Sequence, residues 1–525
     1  MIDRRRAAAW LAVSSLFLLA HLPLLDLPLE RDEGAFAAIG EEILHGAVPY
    51  RDVFDHKPAG VHYAYAAALL VVPPTTRGIH AFLLGWTFAT MLVVAAATVL
   101  LAGEAAAVWA AALFAVLSAS PAVQGFSASS EMLLLLPLSA SIWLALRAAR
   151  RAGSARLLWA ALAGGMAAAA CWFKPPAALP ALGGALALAS RRGSGGWRDA
   201  WRSVGAWLAA GALVGAMPWL LLSAAGAEPW YWLVEHNRLY AALAPTDWSQ
   251  RVWLRWQEAR WDLAPCALLA AIGLAWSLWR RRAGSGVLLA WLTLSLAAVP
   301  HTPFLYRHYL ALALPALAAA GGLTIAAIRM DRAPLRRLAQ LAVLALVLLP
   351  GVVAEPWYWR GPDPRAVDEH LFGAQGFGAA AVVADYLRAH SAPNEAIFVF
   401  GSEPQIPFLA RRRDPNPYKL VYPLTWNWPR AHEFQQRAWS AVAAASPAYL
   451  VIARAPPSLM LSPQRDRFFE EQLSAYAEGY QREQLLVYGR DGYALVRPPA
   501  PAETTVLYEL WARRLPRGVN APQTP

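Results

Sequence analysis

Between residues 8 and 354 the chain returns again and again to long apolar runs, and this limits its possible folds more than any other feature. The interior of a bilayer offers no hydrogen-bond partners, so a spanning segment must satisfy its own backbone, as a helix does. About 18 or more apolar residues cover the roughly 30 Å hydrocarbon core. Eleven spans are expected, near 8–27, 78–101, 105–121, 131–149, 157–173, 176–190, 203–225, 261–279, 286–300, 308–328 and 338–354. The first follows "MIDRRR" and has no A-x-A-like cleavage site, so it reads as an uncleaved anchor.

The charge follows the same partition. Lys plus Arg number 46 against 35 Asp plus Glu, a net charge of +11. The basic residues fall in short clusters between apolar segments: Arg4 to Arg6; Arg147, Arg150, Arg151 and Arg156; Arg191, Arg192, Arg198 and Arg202; Arg280 to Arg282; Arg329, Arg332, Arg336 and Arg337. This is the positive-inside pattern, so the charge records topology and argues against nucleic acid as a partner. With those clusters in the cytoplasm, the N-terminus lies inside and every odd span exits outward. The stretch after the first span, the linkers near 122–130, 174–175, 226–260 and 301–307, and the tail then share the outer side. The two cysteines, Cys171 and Cys266, sit in apolar segments and give no disulfide framework. None of the five asparagines opens an N-x-S/T sequon, which is compatible with a bacterial source.

The expected fold is an all-α polytopic membrane domain over 1–354, with an outer-face loop at 28–77, followed by a small soluble α/β domain over 355–525. In the loop, "EGAFAAIGEEILHG" spaces its apolar residues for a short amphipathic helix that stops at Gly46. "AGVHYAYAAALLVV" is too short to cross and re-enters or lies at the interface. In the tail, "AIFVFG", "PAYLVIAR", "EQLLVYG" and "GYALVR" read as strands, "FGAAAVVADYLRAH" as a helix and "GRDG" as a hairpin turn.

Ionisable residues gather at the outer ends of the spans: Asp32 and Glu33, Glu131, Lys174, Glu235 and His236, then Arg307, His308 and Tyr309. Charge at the bilayer boundary is costly enough to need a reason. Only three lysines occur, Lys57, Lys174 and Lys419, and the first two stand in K-P motifs on the outer face. In a chain that otherwise uses Arg, a compact ammonium points to a site for a point charge. Lys419, in the tail, reads as a residue that tolerates Met. Asp52 and Asp55 read as solvated loop acids.

Taken in order, the Asp-Glu pair, "PYRDVFDHKPAG", the carboxylate opening the fourth span, "FKPP" and "RHYLALALPALA" resemble the GT-C superfamily of membrane glycosyltransferases, nearest the protein O-mannosyltransferase and lipid A aminoarabinose transferase branch. The resemblance covers about residues 20–325. It implies an enzyme of the bacterial cytoplasmic membrane that moves a sugar from a polyprenyl-phosphate donor to an acceptor hydroxyl on the outer face, inverting the anomeric centre. The acceptor is a lipid, glycan or protein. Carried over by position, Asp32 matches the catalytic base, Glu131 the second acid, and Lys57 and Lys174 the cations facing the donor phosphate. Arg238 and Arg307 are further phosphate candidates, and Glu33, His308 and Tyr309 further site candidates. A divalent metal (zinc, magnesium or manganese) is implied near Glu235 and His236, with His56 standing where relatives have Glu.

Each residue also has a plainer reading. Asp32 fits the N-cap of the following helix, and Glu33 a first-turn charge. Lys57 and Lys174 could snorkel, His56 and His236 could be hydrogen-bonded structural histidines, and "RHY" could anchor the boundary. A transporter or flippase for an anionic lipid or solute is the alternative class. It is disfavoured because the charges gather at one face and no internal repeat is visible.

Overall fold

The computed structural model describes residues 4–190, 196–244, 247–301 and 304–514. All eleven apolar segments fold as helices, but not all reach spanning length. Among the described residues, seven helices are long and apolar enough to cross a membrane, or eight if the bent pair Trp248–Ala259 and Ala264–Trp279 counts as one span. Glu104–Leu117, Pro175–Ala189 and Ser285–Ala298 are shorter apolar helices. At 1.5 Å per residue, 14 residues make a rise of about 21 Å, well short of a bilayer core. Seven or eight helices thus reach spanning length among the described residues, with three shorter apolar helices beside them, and eleven full spans are not confirmed.

The chain divides into two units. One gathers Met1–Asp26, His56–Ala64 and Arg77–Pro362; the other gathers Leu27–Asp55, Tyr65–Thr76 and Asp363–Pro525. The first unit is helical, and its helices approach closely where small residues meet. A Cβ on Gly322 would lie 2.5 Å from the Ala106 carbonyl oxygen and the Ala110 nitrogen, so helix Leu314–Ala327 touches the backbone of helix Glu104–Leu117. Gly164 meets the Trp207 carbonyl in the same way, joining Gly153–Cys171 to Trp197–Ala224. With lipid as the alternative neighbour, such contacts replace the hydrophobic effect as the force between helices. Arg156, read from the sequence as a cytoplasmic cation, is buried. Its Nε donates to Ser203 Oγ at 2.7 Å and its Nη2 to the Leu188 carbonyl at 2.8 Å.

The second unit carries a five-stranded mixed sheet, with β1 Ile397–Phe400, β2 Tyr449–Ala453, β3 Tyr480–Gly489, β4 Gly492–Val496 and β5 Thr505–Arg513. The order is β1-β2-β5-β3-β4, parallel only between β1 and β2. The four expected strands and the Gly489–Gly492 hairpin are present. The central strand β5 was not expected. Ile397 and Val399 face helix Phe377–His390, joining Ala380, Val383 and Leu387 in one core. The alternate residues Phe398 and Phe400 meet Phe469 of helix Phe468–Ala477 on the opposite face.

Helix Arg31–Leu44 and the C-terminal residues belong to this same unit. Gly34 lies against Gln405, where a Cβ would come within 2.6 Å of the Gln405 nitrogen. Arg31 donates to the Ser402 carbonyl at 2.7 Å and pairs with buried Glu403 at 3.1 Å. Two sequence readings are corrected here. Asp55 is buried, not solvated. Lys419 is buried too: its Nζ donates to the Asp414 carbonyl at 3.0 Å and lies 3.4 Å from Glu42.

Candidate active site

In the helical unit, Glu131 is the second residue of helix Ser130–Ala148, whose cap Ser129 accepts from the Met132 nitrogen at 3.3 Å. An acid in the first turn suits the positive end of the helix dipole. The side chain is buried, and Ser130 Oγ donates to its Oε2 at 2.9 Å. Lys174 Nζ donates to Oε1, and His308 Nε2 stands 3.8 Å from the same oxygen. Lys174 Nζ also lies 3.7 Å from the centre of the Tyr309 ring, a cation–π contact. His308 Nδ1 is 2.7 Å from Gln124 Oε1. Four expected site residues, Glu131, Lys174, His308 and Tyr309, thus converge from three distant stretches of sequence.

The two K-P motifs also come together in this unit. The Gly60 nitrogen donates to the Trp172 carbonyl at 3.0 Å, three residues after Lys57 and two before Lys174. Only glycine fits there, because a Cβ on Gly60 would collide with that carbonyl. Lys57 is half-buried beside this junction.

The remaining candidates of this unit have other partners. Arg307 pairs with Glu258 at 2.9 Å, and Arg255 shares the same carboxylate at 2.6 Å. Glu235 and Arg238 are exposed, on the π turn Tyr231–Glu235 and the helix His236–Ala241 that continues it. The rings of His56 and His236 are 6.4 Å apart, with Tyr240 4.7 Å from His56 and Trp232 4.9 Å from His236. Asn237 Nδ2 donates to the His56 carbonyl at 2.7 Å.

Two imidazoles are too few for the three or four donors of a zinc site. No group of three or more His, Cys, Asp or Glu side chains placed to hold a metal ion occurs among the described residues. The residues present therefore do not fit the metal implied by the sequence resemblance, and no chemistry is routed through one. Gln124, Arg255 and Glu258 escaped the sequence reading. Arg255 and Glu258 carry an (i, i+3) charge signal in "RWQE", but Gln124 is an uncharged loop residue with none.

In the second unit, Asp32 and Glu33 open helix Arg31–Leu44. The cap position belongs to Glu30, which forms a capping box with Glu33. The Glu33 carboxylate accepts from the Glu30 nitrogen at 3.1 Å and is fully buried. Asp32 is half-buried in the first turn and is not the cap. Burial first, then the carboxylates of Glu33, Glu30 and Asp32, hold the Tyr65 phenol well above its usual range.

No protein-family model matches this sequence, and no curated protein matches it. Solved structures match over nearly the whole chain. ArnT from Cupriavidus metallidurans in the apo state aligns at a TM-score of 0.60 and 13% identity, covering 96% of this chain and 98% of that one. The chain has the GT-C glycosyltransferase fold. The archaeal oligosaccharyltransferase AglB from Archaeoglobus fulgidus, in complex with an inhibitory peptide and a dolichol-phosphate, aligns at 0.50 and 12% identity over 96% of this chain and 76% of that one. One structure of the arabinofuranosyltransferase AftD from Mycobacteria aligns at 0.54 and 15% identity over 97% of this chain but only 42% of AftD. At such identities the likeness is one of GT-C architecture.

Proposed function

We propose that this GT-C chain is a multi-pass glycosyltransferase of the bacterial cytoplasmic membrane, moving a sugar from a polyprenyl-phosphate donor to an acceptor hydroxyl on the extracytoplasmic face. The observation that carries the reading is the buried Glu131–Lys174 pair with His308 and Tyr309 around it, at the ends of apolar helices in a GT-C fold. The fold supplies the context: ArnT from Cupriavidus metallidurans has been crystallised bound to undecaprenyl phosphate, with a TM-score of 0.57 and 14% identity over 88% of this chain and 96% of that one.

In the proposed step, the acceptor oxygen attacks the anomeric carbon while Asp32 takes its proton. The bond from that carbon to the phosphate oxygen breaks, and the electron pair leaves with the lipid phosphate. Lys57 and Lys174 stabilise the charge that develops there. Attack opposite the leaving group inverts the centre. Eleven membrane crossings, the three shorter apolar helices included, would place the N-terminus inside and the C-terminal sheet outside.

The test is to incubate the purified chain with a panel of polyprenyl-phosphate sugars and acceptors and to follow both products. Free polyprenyl phosphate should appear in step with transferred sugar, whose anomeric configuration is opposite to that of the donor. Translocation of intact donor lipid without sugar release would favour the transporter class instead.

A further inference from the structure

The Glu131 side chain is 2% exposed, and a carboxylate so deeply buried needs a cation or a proton beside it at all times. Lys174 is that cation in the structure. On the function proposed above, on which this inference rests, Lys174 must also serve the donor phosphate. Once it turns to the phosphate, two anions share one ammonium, and like charges at close range draw a proton into the site.

His308 is placed to receive that proton. Its Nδ1 lies 2.7 Å from Gln124 Oε1, an acceptor; in the tautomer that makes this bond Nδ1 carries the hydrogen and Nε2 is the nitrogen left to gain one. Nε2 is the atom 3.8 Å from Glu131 Oε1. The charged or titratable groups around His308 include Lys174, Tyr306 and Tyr309, with Arg307 beside it in sequence and Arg255 and Glu258 reaching it through Arg307.

The loop that presents Gln124 is built for position. Gln124 has φ 49°, a left-handed conformation that is strained for a side chain of its size. The loop is buried, and Ser120 both accepts from the Ala122 nitrogen at 3.0 Å and donates to the buried Asp262 at 2.8 Å. Glycine would relieve the strain at 124 but could not hold an imidazole.

We propose that Gln124 is a positioning residue that holds His308 ready to replace Lys174 as the partner of Glu131. When Lys174 engages the donor phosphate, His308 takes one proton from water at Nε2 and pairs with Glu131. When the lipid phosphate departs, Lys174 returns and the proton goes back to water.

The experiment is calorimetric titration of the purified full chain in detergent with undecaprenyl phosphate, at pH 8, in buffers of different ionisation enthalpy. At that pH the lipid phosphate is already a dianion (second pKa about 6), so proton uptake reports the protein. Wild type should take up about one proton per phosphate bound. His308→Gln should bind phosphate with little uptake. Gln124→Gly should stay folded yet lose most of the uptake, whereas Gln124→Glu, whose carboxylate accepts from Nδ1 and favours the imidazolium, should keep the uptake but move it to higher pH. Phosphate binding by wild type with no uptake, or with uptake unchanged in His308→Gln, overturns the inference and leaves the proposed function standing. No phosphate binding by wild type overturns both.

Discussion

Asp32 and Glu33 are neighbours in sequence, yet their surroundings give them different work. Glu33 spends its carboxylate on the Glu30 nitrogen, and Asp32 does not hold the cap. Glu33→Ala should therefore lower stability by at least about 0.5–2 kcal/mol, the usual worth of a capping interaction, seen as a fall in thermal midpoint. Asp32→Asn, which keeps the side chain's shape and leaves the capping box intact, should lower that midpoint less. The two acids were legible in the sequence, but their division of labour was not, because it depends on where the helix starts. Lys174 teaches a similar lesson. From the sequence, Lys174→Met should trade a cation for an apolar stem at little structural cost. In the fold that substitution strips the ammonium from buried Glu131 and leaves His308, which must first take a proton, as its partner, so the cost rises with pH toward the about 3–5 kcal/mol of a broken buried pair. Lys174→Met alone should thus unfold at a clearly lower temperature, and Lys174→Met with Glu131→Gln should recover most of the loss. Equal midpoints for the single and double variants would deny the pair its structural role. Lys419, paired with Glu42 and bonded to the Asp414 carbonyl, should not tolerate Met without loss of stability.

Among the elements, those whose periodicity is set by one buried face were readable. Helices Arg31–Leu44 and Phe377–His390 and strands β1 to β4 were anticipated on that basis. Strand β5 was missed because it follows the Pro-rich "RPPAPAETT" and carries Glu509 at its centre, which breaks the apolar run. In the fold that carboxylate is buried and paired with Arg454 at 2.9 Å and Arg482 at 3.4 Å, compensation that only the neighbouring strands supply. Helix contacts in the apolar unit were equally hidden, since glycine in a span is read as composition until its neighbour is known. Gly322→Val should drive a side chain into the backbone of helix Glu104–Leu117 and cost at least about 1–3 kcal/mol, measurable as a lower thermal midpoint in detergent. The sheet-bearing unit makes a prediction about pH. Burial pushes Asp368 and Asp414 up to about 6, against three bonds accepted by Asp368 from Phe377, Gly378 and Tyr493 and the nearby Lys419 charge at Asp414. Both folded values lie above the unfolded value of about 3.9, so the folded chain holds protons that the unfolded chain has already lost. Their contribution to stability is present at low pH and is lost as pH rises from about 4 through about 6. Asp414→Asn should shrink its share, so its thermal midpoint should fall less over that range than that of wild type. An identical pH profile would contradict the assignment.

At the scale of the whole molecule, composition alone indicated an apolar helical part and a polar α/β tail, and the GT-C comparisons agree with that class. What composition could not convey is that residues 27–55 belong with the C-terminal unit while residues 56–64 belong with the helical one. That division depends on contacts between stretches hundreds of residues apart. The proposed orientation can be checked by cysteine labelling in a background lacking Cys171 and Cys266. Positions 195 and 283 should react only from the cytoplasm, and exposed Ser440 only from outside. Reaction at 440 from the cytoplasm would put every proposed functional residue on the wrong side. The central claim, that this chain transfers sugar from a polyprenyl phosphate with Asp32 as the base, is tested most directly in proteoliposomes carrying radiolabelled polyprenyl-phosphate sugars. Wild type should pass label from at least one donor to an acceptor. Asp32→Asn, while still folded, should be slower by about 10²-fold or more. Undiminished transfer by a folded Asp32→Asn protein would contradict the account.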